Sequence, residues 1–119
     1  MTKKGFLDKI TSLAIDEDKL LKIFDIYSDQ LPEVLCKIIS NIDEAVFFDD
    51  GTRILSYSEI LDAEKDLHIK FKAKGLIPIS DYGDNDFIVY DFKNKIWAKF
   101  NIVDETLFKK RASLEELLR

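Results

Sequence analysis

The stretch that decides the fold runs from Gly75 to Phe100 and reads GLIPISDYGDNDFIVYDFKNKIWAKF. Two of its segments, Phe87–Tyr90 and Ile96–Phe100, are rich in the aromatic and β-branched residues that favour strands. Lys93–Lys95 separates them, and its central asparagine tolerates a left-handed backbone, so the spacing predicts a tight hairpin. A shorter apolar run, Leu76–Ile79, precedes them and ends at a turn-rich segment. We therefore expect an antiparallel sheet at the centre of the fold.

The residues before this stretch show the spacing of amphipathic helices. Apolar side chains recur every three or four residues over Phe6–Ala14 and again over Leu20–Tyr27, as one bent helix or two. Pro32 is expected to start a further helix, because a proline in the first turn leaves no intrahelical hydrogen bond unmade. The apolar face of that helix would consist of Leu31, Leu35, Ile38, Ile39 and Ile42.

Shorter signals divide the rest of the chain. An Asp-Gly pair within Asp49–Thr52 lies between two apolar runs and predicts a hairpin. The pattern S-x-x-E occurs at Ser56–Glu59 and at Ser113–Glu116, and each predicts a helix start. Lysines alternate with apolar residues over Ile69–Lys74, which favours an extended segment, and Leu107–Phe108 suggests one more short strand after β-structure that continues to residue 103.

Together these elements predict one α+β domain over residues 1–119. N-terminal helices would pack on a mainly antiparallel sheet of about five strands, followed by a short C-terminal helix. The length suits a single domain, and 46% hydrophobic residues suffice for a packed core. No apolar run approaches the roughly 20 residues that span a bilayer, and charges at Asp8 and Lys9 argue against a secretory signal. A lone cysteine, Cys36, fits a reducing cytoplasm.

Acidic residues are concentrated in the front half of the chain. The net charge is −5, but residues 16–50 contain ten acidic residues and three lysines, which gives −7. Such a surface repels phosphate, so we expect no nucleic-acid partner and favour a basic protein partner. A surface that serves solubility alone would have the same charge.

No catalytic constellation is visible, so we expect a protein that is not an enzyme and that needs no cofactor. His68 and Cys36 are the single histidine and cysteine and lie far apart in sequence. The Asp81–Asp86 segment offers oxygen ligands, but it lacks EF-hand spacing and has the composition of a turn, so we predict no metal site.

Trp97 is the aromatic residue whose position the sequence leaves open. Ile96, Ala98 and Phe100 share one face of their strand, and Trp97 shares the other with Lys99. Trp97 is therefore either covered by a helix or part of a binding surface, where tryptophan is enriched. The tyrosines suited to amphipathic contacts are Tyr57, Tyr82 and Tyr90.

The order of the elements resembles the SUKH superfamily, named after fungal Smi- and Knr-type regulators of cell-wall assembly and abundant in bacteria. Four features carry the resemblance: a helix opening at Leu31-Pro32, a strand entering a capped helix at Ile54–Ile60, Gly75–Ile79 running into the Asp81–Asp86 turn, and the closing segment Ala112–Leu118. They span about three quarters of the chain.

The resemblance implies a cytoplasmic immunity protein that binds and neutralises a cognate polymorphic toxin, often a nuclease. The alternative is a regulatory or scaffold module that binds an endogenous protein, as the fungal members are implied to do. We expect a monomer or weak dimer that blocks the toxin sterically, with acidic residues aiding capture. The candidate partner-binding residues are Asp43, Glu44, Asp49, Asp50, Asp81, Tyr82, Asp84, Asp86 and Trp97.

Overall fold

A computed structural model describes residues 1–118 and shows a six-stranded antiparallel sheet. Each strand pairs with the next in the chain, so the sheet is a meander with β1 and β6 at its edges. This arrangement confirms the predicted α+β class and its mainly antiparallel sheet. The strands are β1 (Val46–Phe47), β2 (Arg53–Ile54), β3 (Leu76–Gly83), β4 (Asp86–Asp91), β5 (Ile96–Asn101) and β6 (Thr106–Arg111).

Helices precede the sheet, interrupt it once and close the chain. The first two pack on the third, the two between β2 and β3 pack on β3, and the last packs on β5 and β6. The helices are α1 (Lys3–Thr11), α2 (Glu17–Ile26), α3 (Glu33–Asn41), α4 (Tyr57–Leu67), α5 (Phe71–Lys74) and α6 (Leu114–Leu118).

The helix starts follow the side chains that cap them. Asp16 accepts hydrogen bonds from the backbone N–H groups of Asp18 and Lys19, which starts α2 and separates it from α1 as a distinct helix. The predicted capping box at α4 is present: Ser56 Oγ accepts the Glu59 N–H, and the Glu59 carboxylate accepts the Ser56 N–H at 3.1 Å.

The extended segment predicted over Ile69–Lys74 is wrong, because Phe71–Lys74 forms the short helix α5. The alternation misled because Ala73 is exposed, so the segment has no continuous apolar face. Phe71 instead is fully buried and packs on Phe100 with ring centres 5.9 Å apart. Gly75 ends α5 with a φ of +78°, which turns the chain into β3.

The C-terminal part of the sheet is larger than predicted. β6 has six residues where only a short strand at Leu107–Phe108 was expected, and it raises the number of strands to six. β5 ends at Asn101 rather than continuing to Val103. The Asn101 side chain accepts the N–H groups of Val103 and Asp104 and so closes the turn.

Asp91 fixes the β4–β5 turn in the same way, but from a buried position. Its carboxylate is 3% exposed and accepts the backbone N–H groups of Lys93 at 3.0 Å and Asn94 at 2.9 Å. The left-handed residue of this turn is Lys95, with a φ of +57°, and not the asparagine before it.

We expect Asp91→Ala to lower the free energy of unfolding by about 2 kcal/mol, because two backbone N–H groups and the Asn94 side chain lose their buried acceptor. The matched variant is Asn101→Ala, which removes two backbone hydrogen bonds and one to Asp86 from a half-exposed turn, and it should cost less than about 1 kcal/mol. Urea unfolding of both variants measures the difference. Equal losses would show that burial does not set the strength of these turns.

Candidate protein-binding surface

The edge strand β1 presents an aromatic side chain to solvent. Phe48, directly after β1, is 5% exposed and packs edge-to-face on Phe6 of α1, with ring centres 5.6 Å apart. Successive residues of an extended chain point to opposite sides, so Phe47 points away from this contact. Its side chain is 62% exposed. An exposed aromatic residue on a sheet edge can act as an anchor for another protein.

Two exposed carboxylates precede Phe47 in the chain and two follow it. Asp43 and Glu44 come just before β1, and Asp49 and Asp50 form the turn that follows it. Met1 connects the two pairs: it lines a depression of about 260 Å³ together with Asp43 and Glu44, and its amino group binds Asp49 at 3.1 Å. We call these four acids and Phe47 the edge surface.

Basic groups from the N-terminal part of the chain hold three of the four acids. Lys3 donates to Asp50 at 2.6 Å, the Met1 amino group pairs with Asp49, and Lys19 pairs with Asp43. Hydrogen bonds from Lys3 and Thr52 hold the pKa of Asp50 well below its ordinary value, so this carboxylate stays charged. Exposed ion pairs of this kind are weak, and a basic partner could exchange with them.

The strand register extends the edge surface along one face of the sheet. Phe47 is opposite Arg53 in β2, and Arg53 is opposite Asp81 in β3. Arg53 binds both carboxylate oxygens of Glu59 at 2.6 Å and lies 3.6 Å from Asp81. Burial alone would raise the pKa of Glu59, but the hydrogen bonds from Arg53 and Ser56 lower this pKa below its ordinary value. The predicted residue Asp81 thus joins the surface as part of an ion-pair network.

The other two acids of the β3–β4 hairpin, Asp84 and Asp86, stabilise its turn and strand pairing. Asp84 and Asn85 have φ values of +54° and +66°, which define a two-residue type I′ turn between Gly83 and Asp86. The Asp86 carboxylate accepts from the Asn101 side chain at 2.9 Å. The structure therefore gives Asp84 and Asp86 turn and strand-pairing roles, apart from the four acids around Phe47.

Tyr82 is half-buried, and its hydroxyl links three elements. It accepts a hydrogen bond from Lys3 at 2.8 Å and donates to the backbone oxygen of Leu117 at 3.3 Å. Lys3 also binds Asp50, so Tyr82 supports the edge surface from behind.

Trp97 was predicted as a candidate binding residue, but the structure buries it. Its side chain is 3% exposed and stacks at a tilt on Tyr90, with ring centres 4.9 Å apart. Both faces of β5 are covered at this point, because Ala98 is also fully buried and α6 packs on the strand. Trp97 is a core residue and offers nothing to a partner.

The single histidine and cysteine have structural positions. His68 is exposed at the end of α4 with a left-handed backbone, and Cys36 is buried in α3, where burial raises the pKa of its thiol. Within residues 1–118, no three His, Cys, Asp or Glu side chains come together to hold a metal ion. Over the same residues, no helix has the length and apolar character needed to cross a membrane.

A larger depression, of about 510 Å³, lies between α1 and α6. Its lining includes Leu7, Val34 and Leu118, with Lys4 and Asp8 among its polar residues. Its titratable lining residues are of both signs, and neither its shape nor this mixed charge identifies an occupant. The edge surface is therefore the stronger candidate for function.

Comparison with known proteins adds no assignment, because no family model, no curated protein and no solved structure matches the chain. The edge surface is thus defined by the geometry of this molecule. Sequence reasoning found its acids and missed Phe47. The signal was present, since two successive phenylalanines in one strand cannot both face the core from the same side.

Proposed function

We propose that this chain is a non-enzymatic protein-binding domain, acting in the cytoplasm as an immunity protein against a cognate bacterial toxin. The observation that carries the proposal is the edge surface, in which a 62% exposed Phe47 lies between two pairs of exposed carboxylates. Aromatic residues are enriched at protein contact sites, and the rim around such a site is polar. The resemblance to the SUKH superfamily supports a toxin as the partner.

The surface would act by occupying the toxin's own functional face. Phe47 would insert into an apolar recess and exclude water, and the four acids would pair with basic residues around that recess. A toxin that cleaves nucleic acid needs basic residues to hold phosphate, so an acidic surface complements its active site. Complementary charge also speeds encounter, which matters when a toxin must be captured before it acts.

The test is co-purification of the tagged chain with the protein encoded immediately upstream, at low and at high salt. We expect a stable complex that dissociates more readily as salt rises, because part of the attraction is between exposed charges. A folded, monomeric chain that captures no such partner would contradict the immunity role and favour a regulatory module.

A matched pair of variants tests the role of the acids in the same assay. Neutralising the four acids of the edge surface to their amides should weaken the complex and reduce its salt dependence. The control removes the same charge from exposed acids of α2, α4 and the loop after α2, and should leave the complex intact. Intact binding by the first variant would contradict the electrostatic part of the proposal. The control positions are Asp25, Asp29, Asp62 and Asp66.

A further inference from the structure

Two lysines from distant parts of the chain meet at Tyr82 of β3, and a third lies beside one of them. The ammonium groups of Lys3 and Lys99 lie 4.7 Å and 4.2 Å from the centre of the Tyr82 ring. Lys109 of β6 has a φ of +50° at an irregularity in β5–β6 pairing, and its side chain meets that of Lys99. We call Lys3, Lys99 and Lys109 the lysine cluster.

The charges of this cluster are incompletely balanced. Lys3 is paired with Asp50, whereas within residues 1–118 neither Lys99 nor Lys109 forms an ion pair. Burial lowers the pKa of Lys99. The positive charges of Lys109 and Lys3 lower this pKa further, and the negative charge of Asp86 opposes the shift. Two neighbouring ammonium groups that repel each other would gain from an anion placed between them.

The hydrogen-bond donors of the cluster are also held in position. The Tyr82 hydroxyl binds Lys3 and the Leu117 backbone oxygen, which fixes the ring on which the Lys3 and Lys99 ammonium groups rest. Each ammonium group has three N–H donors and no acceptor. An anion with several oxygens can bind two or three such groups at once, and phosphate has that geometry.

We propose that the lysine cluster is a binding site for a phosphate group, held by the ammonium groups beside Tyr82. The acidic net charge of the chain does not oppose this, because distant charges are screened by salt and a single phosphate group senses mainly its neighbours. The ligand is inorganic phosphate or a phosphomonoester, which share the chemistry that the lysines recognise.

This site is separate from the proposed partner surface. The register places Lys99 in one cross-strand row with Ile88, Ser80, Ile54 and Val46. The neighbouring row contains Phe47 and points to the opposite face of the sheet. Lys3 links the two, because it donates to Asp50 of the edge surface and to the hydroxyl of Tyr82. Either proposal can therefore fail without the other.

The test is an NMR titration of the ¹⁵N-labelled chain with inorganic phosphate, at constant ionic strength and pH. We expect saturable shifts of the Lys99 and Lys109 amides, while sodium acetate at equal ionic strength gives none that saturate. A parallel titration with AMP identifies the source of the phosphate group. Tighter binding of AMP than of inorganic phosphate assigns the site to phosphomonoesters. Equal affinities show that the site contacts only the phosphate group. Shifts that rise without saturating would overturn the proposal.

Variants at three lysines complete the test. Lys99→Met removes the ammonium group beside Tyr82 and keeps a side chain of similar length, and it should weaken phosphate binding about tenfold, as should Lys109→Met at an exposed position. Lys22→Met removes an exposed lysine of α2 and should leave the affinity within about twofold. Equal affinity in all three variants would show that the phosphate contacts are nonspecific. A thermal melt of each variant verifies that it is folded.

Discussion

Replacing Phe47 by alanine is expected to weaken binding of the partner by about 30-fold, the loss typical of an aromatic hot-spot residue. The physical reason is that the edge surface holds one large apolar group, which is 62% exposed in the free chain. The same variant should change the free energy of unfolding by less than about 1 kcal/mol, since little of the side chain is buried on folding. Isothermal calorimetry and urea unfolding measure the two quantities.

The matched control is Val103→Ala. Val103 is 73% exposed and lies in the β5–β6 turn, on the part of the sheet away from β1. Its truncation also removes an exposed apolar side chain, and we expect affinity within about twofold of the parent. If Phe47→Ala and Val103→Ala bind equally well, Phe47 is not an anchor and the edge surface loses its main support.

Replacing Trp97 by alanine should mainly affect stability, unlike Phe47→Ala. We expect a loss of about 3–5 kcal/mol in the free energy of unfolding. The side chain is 3% exposed and packs on Tyr90, so its removal leaves a cavity in the sheet core. Domains of this size have about 5–15 kcal/mol of stability, so the loss is a large fraction of the total. Urea unfolding followed by circular dichroism measures the loss, because the variant lacks the only tryptophan.

Trp97→Phe keeps an aromatic ring in the same position and should cost clearly less than the alanine variant. Fluorescence of the parent chain gives an independent check, since a buried indole emits at short wavelength and is poorly accessible to acrylamide. A loss below about 1 kcal/mol for Trp97→Ala, or efficient quenching in the parent, would contradict the burial of this residue.

Local chemistry made much of the fold predictable. The capped start of α4 and the long strands β3 to β5 follow from side chains that act on their own or neighbouring backbone. The burial of Trp97 could not be read in the same way, because it depends on α6 returning to pack on β5. The same limit applies to α5, where Phe71 packs on Phe100 and overrides an alternating pattern.

The candidate sites divide in the same way. The acids of the edge surface are two pairs close together in the sequence and were predicted as candidates, whereas Phe47 needed the knowledge that Phe48 takes the place facing Phe6. The lysine cluster combines residues 3, 99 and 109, which only the folded chain brings together. Charge counted along the sequence therefore predicted an acidic protein and missed its basic site.

Hydrogen–deuterium exchange of the purified complex is the most direct test of the central claim that partners bind through the edge surface. We expect slower exchange in residues 43–50, compared with the free chain, because the partner would cover β1 and the turn after it. Protection confined to β6, or to the groove between α1 and α6, would contradict that claim and move the binding site to another part of the molecule.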